Sequence, residues 1–179
     1  SGPGPHHVTF KVDDIRETLD RLKALGIEPV KVNLSDPRWQ EAFLHPSLGL
    51  GTVVQVAQQG GTWSAEKEPR PEPDGTIHTG FLGAELSSNL ESAAAVFGDL
   101  LGGDVTTVAD GVAYSWAGGG TLLVRPAGNA HPAVRKLVFR YNDPGPTAAP
   151  GEETLFDGPA VIKKLAAGEA WPAVESLLP

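Results

Sequence analysis

Residues 6–30 read HHVTFKVDDIRETLDRLKALGIEPV and residues 41–58 read EAFLHPSLGLGTVVQVAQ. Together they decide how the chain folds. Val8, Phe10 and Val12 alternate with His7, Thr9 and Lys11, the period of two expected of a half-buried strand. Asp13 and Asp14 follow, an N-cap and a negative first turn. Ile15, Leu19, Leu22 and Leu25 then fall at helical spacing, and Gly26 stands where a helix stops. A second strand is expected over 27–32, a turn at Ser35-Asp36-Pro37, and two more strands over 39–44 and 51–58. His45-Pro46-Ser47-Leu48-Gly49 joins these last two. The order is β-α-β-β-β. Such a module leaves one sheet face unfinished and calls for a partner.

Working outward, residues 59–75 are Gly, Pro and charge, the composition of a linker. The pattern then recurs over 77–126. A strand at 81–86 leads to Ser88 or Asn89 as a cap. Leu90, Ala94, Phe97 and Leu101 form a helix stripe ending at Gly102-Gly103. Segments 104–108 and 112–117 read as a hairpin around Asp110-Gly111, and 120–126 mirrors 51–58. Repetition in the same order marks an internal duplication. Beyond it, 134–141 reads as a strand and 142–152 as a loop. Residues 159–167 read as a short helix with Pro159 in its first turn and Gly168 after it, and 171–178 as another. The reading is α+β: paired modules at 1–59 and 77–128, joined by a linker at 60–76, form an open curved sheet around a pocket. Residues 129–179 are a strand/helix appendage packed on the barrel, too short to hold a core of their own.

The 179 residues carry a net charge of −8, and 40% of them are hydrophobic. That apolar share suits a globular chain. Lys and Arg are scattered without a basic stripe, which argues against nucleic acid as a partner. No apolar run reaches the roughly 18 residues that cross a membrane. The chain has no Cys, so thiol and disulfide chemistry are excluded, which fits a cytoplasmic protein. Met is also missing, even from position 1, where SGPGP stands instead. The expectation is a longer gene product or a trimmed tag.

Residues 6–58 resemble a module of the vicinal oxygen chelate superfamily, the group of glyoxalases, extradiol dioxygenases, bleomycin- and fosfomycin-type resistance proteins and methylmalonyl-CoA epimerases. The likeness is nearest to the second module of an epimerase. It rests on His6 to Ile15, on Ala42-Phe43-Leu44-His45-Pro46 and on Gly51-Thr52-Val53-Val54-Gln55-Val56. Metal-dependent members hold a divalent ion in the cavity, with one ligand from the first and one from the fourth strand of each module. The resemblance puts His7 at the first position and Gln55 at the fourth, where Glu is commoner. It implies Zn, Ni, Co, Fe or Mn as the ion. The second repeat departs from the pattern: Phe81 or Leu82 stands where His is expected, and Leu122 or Leu123 where Glu is expected. Neither type binds metal, so Glu85 is the one carboxylate left to join His7 and Gln55.

Three constellations follow. His7 with Gln55 is either a metal site completed by Glu85, water and substrate, or a hydrogen-bonded relic. Lys11 and Glu85, equivalent under the repeat, are either a cationic partner and a general base or a salt bridge on the cavity floor. Trp39, Phe43, Tyr114 and Trp116 stack on a planar ligand or pack the core. Thr9 and Phe81 complete the expected substrate pocket. Two functions remain open: a metal-dependent lyase or isomerase acting through an enolate with Glu85 as base, or a metal-free binder of a small organic molecule, similar to the antibiotic-sequestering members. A homodimer, or a segment preceding residue 1, is expected to complete the site around His7.

Overall fold

The computed structural model describes residues 7–60, 79–141, 151–154 and 161–165. Most of the expected linker and the helix expected over 171–178 lie outside them. The first module runs β1 (His7–Lys11), α1 (Ile15–Ala24), β2 (Lys31–Asp36), β3 (Trp39–Leu44), a 3-10 turn at Pro46–Leu48, and β4 (Val53–Gln59). Asp14 caps α1 as its position requires, accepting from the backbone N–H groups of Arg16 and Glu17 at 2.8 and 3.1 Å. The side-chain oxygen of Gln58 accepts from Ile15 N–H at 2.9 Å and ties the helix start to β4. Strand order is β1-β4-β3-β2. β1 runs parallel to β4, and the other pairs are antiparallel.

The second module repeats this order. It runs β5 (Thr79–Ser88), α2 (Leu90–Ala93), β6 (Asp104–Val108), β7 (Gly111–Ser115) and β8 (Thr121–Pro126). The expected helix stripe widens after α2 into π-helical turns at Ala94–Leu100, which bury Val96, Phe97 and Leu100. β5 is parallel to β8, as β1 is to β4.

The C-terminal residues extend this second sheet. β9 (Ala133–Tyr141) pairs antiparallel with the free flank of β5, β11 (Val161–Leu165) lies parallel to β9, and β10 (Gly151–Thr154) pairs antiparallel with β11. The sheet order is β10-β11-β9-β5-β8-β7-β6. The helix expected over 159–167 is corrected: Val161–Leu165 is a strand. Two β-branched residues open it, and a parallel ladder on β9 offers the backbone more than an isolated helical turn does.

Alternation decides how the two sheets meet. Leu44 and Val54 of the first sheet share one core with Ala84, Leu86, Leu122 and Val124 of the second, and Leu22 and Phe97 lie between them. Helix-bearing faces therefore pack together, with the helices inside. At the seam Gly51, at φ +84°, passes so close to β5 that a Cβ there would stand 2.6 Å from the Ser87 carbonyl oxygen. Only glycine fits such a backbone. Nearby, the Gly49 carbonyl accepts from Asn89 N–H and from the Ser88 hydroxyl, each at 2.8 Å. Among the described residues, no helix is long and apolar enough to cross a membrane.

Candidate functional site

A cavity of ≈ 980 Å³ opens between the modules. One wall is β1 from Val8 to Val12 together with the start of α1. The opposite wall is Phe81 and Gly83 of β5, Leu100 to Gly102, and the turn from Trp116 to Gly120. An aromatic chain backs it. Phe10 stands 5.0 Å from Trp116 and 5.9 Å from Phe97, and Phe97 stands 5.7 Å from Tyr114. The Trp116 indole N–H donates to the Leu101 carbonyl at 2.8 Å, which fixes the ring. Charge enters through Lys11, Arg21, Asp13, Asp14, Glu17 and Asp104. Arg21 is held by the Asp99 carbonyl, across the helix seam. Of the expected pocket residues, Thr9, Phe81 and Trp116 line the cavity. Tyr114 sits behind the lining, 2% exposed. Burial, with Asp99 adding to it, raises its pKa above the ordinary tyrosine value.

His7 and Gln55 lie on the other face of the first sheet. Val54 and Val56 point into the core, so Gln55 points away, and Thr9 sits opposite it in register. The Thr9 hydroxyl donates to the Gln55 side-chain oxygen at 2.6 Å, and the Gln55 amide donates to Glu41 at 2.6 Å. Trp39 donates to the same Glu41 oxygen at 2.8 Å. The His7 ring meets Phe43 edge-on at 6.4 Å. Glu41 is the residue that sequence reasoning missed. Its signal was available: it shares the strand parity of Trp39 and Phe43, and Phe43 pairs with Gln55.

Glu85 does not join them. It sits on the seven-stranded sheet, where Ala84 and Leu86 point into the core, and so it faces away from the first module. There it accepts from Arg125 at 3.2 Å, and Arg125 also reaches Asp110 at 3.5 Å. Lys11 donates instead to the Gln59 side chain at 2.8 Å. The expected pairings of Glu85 with His7 and Gln55, and with Lys11, are thus corrected. Modules that meet through their helix faces carry their outward faces apart. Among the described residues, no group of three or more His, Asp or Glu side chains gathers.

No protein-family model matches the chain, and no curated protein matches it. Solved structures do. A hypothetical protein from Staphylococcus aureus aligns over 90% of this chain at TM-score 0.63 and 10% identity. The Mn(II)-bound glyoxalase from Novosphingobium aromaticivorans aligns over 89% at TM-score 0.56 and 13% identity. The chain has the vicinal oxygen chelate fold. It spans 65% and 62% of the lengths of these two relatives. A glyoxylase/bleomycin resistance protein/dioxygenase domain from Frankia sp. EAN1pec covers 70% of this chain and 98% of its own, at TM-score 0.39 and 17% identity. Within this chain's vicinal oxygen chelate fold, the first- and fourth-strand positions of the first module, His7 and Gln55, share one sheet face.

Proposed function

We propose that the chain binds a small organic molecule in the cavity between its two modules, without turnover. The observation that carries this reading is the cavity itself. At ≈ 980 Å³ it is of the size that takes a drug-sized molecule, and it combines apolar and aromatic walls with a charged rim. Phe10 and Trp116 offer ring faces for a planar ligand, and Asp13, Asp14, Glu17 and Asp104 outnumber Lys11 and Arg21 around it. An aromatic cation suits that lining. The carboxylate expected as general base, Glu85, is engaged with Arg125 outside this cavity, which supports binding over proton abstraction.

Titration with a planar aromatic cation and with its neutral isostere tests this, followed by Trp fluorescence and calorimetry. Saturable binding of the cation at one site, weakened about tenfold or more by Trp116→Ala, is expected; the loss of one aromatic stacking partner is of that order. Unsaturable binding, or equal binding by W116A, contradicts it.

A second reading has its own support in His7, Glu41 and Gln55 on one sheet face. An imidazole, a carboxylate and an amide oxygen are donors that suit a borderline divalent ion. When bound, such an ion supplies Lewis-acid polarisation of a carbonyl or carboxylate. On this reading Thr9 orients Gln55 and Trp39 orients Glu41, through the hydrogen bonds already described. Metal analysis of freshly purified protein, wild type against His7→Ala, is the test. Stoichiometric metal lost in H7A favours this second reading.

A further inference from the structure

Plain alternation along β5 would send Phe81 outward with Glu85, because Ala84 and Leu86 face the core. The strand departs from it. Phe81 pairs with Phe139 and Gly83 pairs with Val138, the adjacent residue of β9, so Leu82 is an extra residue in the ladder. Such a β-bulge re-aims the side chains beside it. Phe139 lies two residues from Leu137, which packs on the core. Phe139 and the Phe81 opposite it therefore point to the core side. Their rings meet edge-on at 5.5 Å, and Phe81 lines the cavity. Gly83 lets β8 come this close: a Cβ there would stand 2.0 Å from the Thr121 carbonyl oxygen.

The re-aimed ring completes a row. Ala84, Leu122 and Tyr114 stand side by side on the inner faces of β5, β8 and β7. The next inner row holds Phe81, Gly120 and Trp116, since Gly120 comes two residues before Leu122 and Trp116 two residues after Tyr114. All three line the cavity. Gly120 brings no side chain, and a Cβ there would meet nothing within 4 Å. Two aromatic side chains thus flank an empty place. Neighbouring strands lie about 4.8 Å apart, which sets the two residues about 10 Å apart across β8. The Trp116 ring is fixed by its bond to the Leu101 carbonyl and by Phe10. The Phe81 ring has Phe139 at its edge and is still 52% exposed, so it has apolar area left to give a ligand.

We infer that Phe81 is a second stacking residue and sets the length of molecule the cavity prefers: an elongated, planar, fused-ring aromatic that lies over Gly120 and touches both Trp116 and Phe81. This rests on the cavity being a ligand site, as proposed above. Apolar contact needs heavy atoms within about 4 Å of each other. A one-ring ligand seated on Trp116 therefore leaves Phe81 untouched, whereas a three-ring ligand bridges the gap. Trp116 serves ligands of either length, and Phe81 rewards only the long one. The cavity of ≈ 980 Å³ has room for it.

Proflavine, a three-ring planar cation, and benzamidine, a one-ring cation, are the probes, each titrated by calorimetry into the full chain. Proflavine should bind at one site and more tightly than benzamidine. Phe81→Ala should weaken proflavine about tenfold, the loss of one stacking partner, and benzamidine by less than about twofold. Trp116→Ala should weaken both. Phe81→Tyr keeps the ring and should hold proflavine within about twofold of the unmodified chain. Should F81A lower the urea midpoint, Phe81→Leu keeps an apolar side chain against Phe139 without the ring and should show the same split between the probes. Unchanged proflavine affinity in the ring-less variants, with W116A weakening both probes, overturns the inference about Phe81 and leaves the cavity reading standing. Equal losses of both probes in those variants overturn it too. Saturable binding of neither probe overturns both.

Discussion

The first and second modules share strand order, strand directions and a common core, yet they use their outward faces differently. On the second, Glu85 is held by Arg125, with side chains only 16% and 22% exposed, and a strand on each side of β5 closes the sheet around them. On the first, a hydrogen-bonded chain of Thr9, Gln55, Glu41 and Trp39 lies beside an edge that no described strand covers. The difference teaches that a leading strand's neighbour decides what its outward face becomes. Flanked on both sides, β5 supports a charged pair half withdrawn from water. At a rim, β1 borders a cavity.

The comparison breaks most readily at the shared core. Phe97 is fully buried and touches the rings of Phe10 and Tyr114, one from each module. Phe97→Ala should cost about 3–5 kcal/mol, and Leu44→Ala about 2–5 kcal/mol, in urea unfolding. Both should lower the same single transition. Two separate transitions, each sensitive to one substitution, would mean two independent modules.

The outward faces come next. Removing the Glu85 carboxylate by Glu85→Ala leaves Arg125 with Asp110, which is largely exposed. A loss of about 1–3 kcal/mol is expected, between the values for exposed and buried pairs. Glu41→Ala on the first module leaves the Gln55 amide and the Trp39 N–H without their acceptor and should cost about 1–2 kcal/mol. A cost for E41A exceeding that of E85A would reverse the proposed contrast. Asp14→Ala, which removes the cap of α1, should cost about 1 kcal/mol.

Tyr114 gives the smallest effect and sharpens the core boundary. Its folded pKa is raised by burial and then by Asp99. The unfolded chain therefore loses this proton first, and unfolding is favoured as pH rises past the ordinary tyrosine value of about 10. The contribution is fully present below that value. Ultraviolet titration should resolve one of the two tyrosines ionising late, and Tyr114→Phe should abolish the late step.

Much of this was legible in the residues. The alternation of 7–12 and the cap at Asp14 declared β1 and α1, and Asp110-Gly111 marked the hairpin of β6 and β7, whose turn falls one residue earlier, at Ala109-Asp110, with Gly111 paired to Val108. What stayed hidden was strand adjacency. Alternation says which side chains share a face, but it does not say which edges meet, so Glu85 was assigned to His7 and Gln55 although its partner, Arg125, comes from the neighbouring strand β8. Glu41 was overlooked for the same reason, since its tie to Gln55 exists only once β3 and β4 are in register. Pro159 suggested a helix start, while Val161–Leu165 joined β9, a partner that no local pattern names.

Amide hydrogen exchange in dilute protein tests the central contrast most directly. Amides throughout the interior of β5 should exchange slowly, while those of Thr9 and Lys11 exchange rapidly and those of Val8, Phe10 and Val12, on the side of β1 that faces β4, do not. Slow exchange at Thr9 and Lys11 would contradict the account, because the outer flank of β1 would then already be covered by the chain itself.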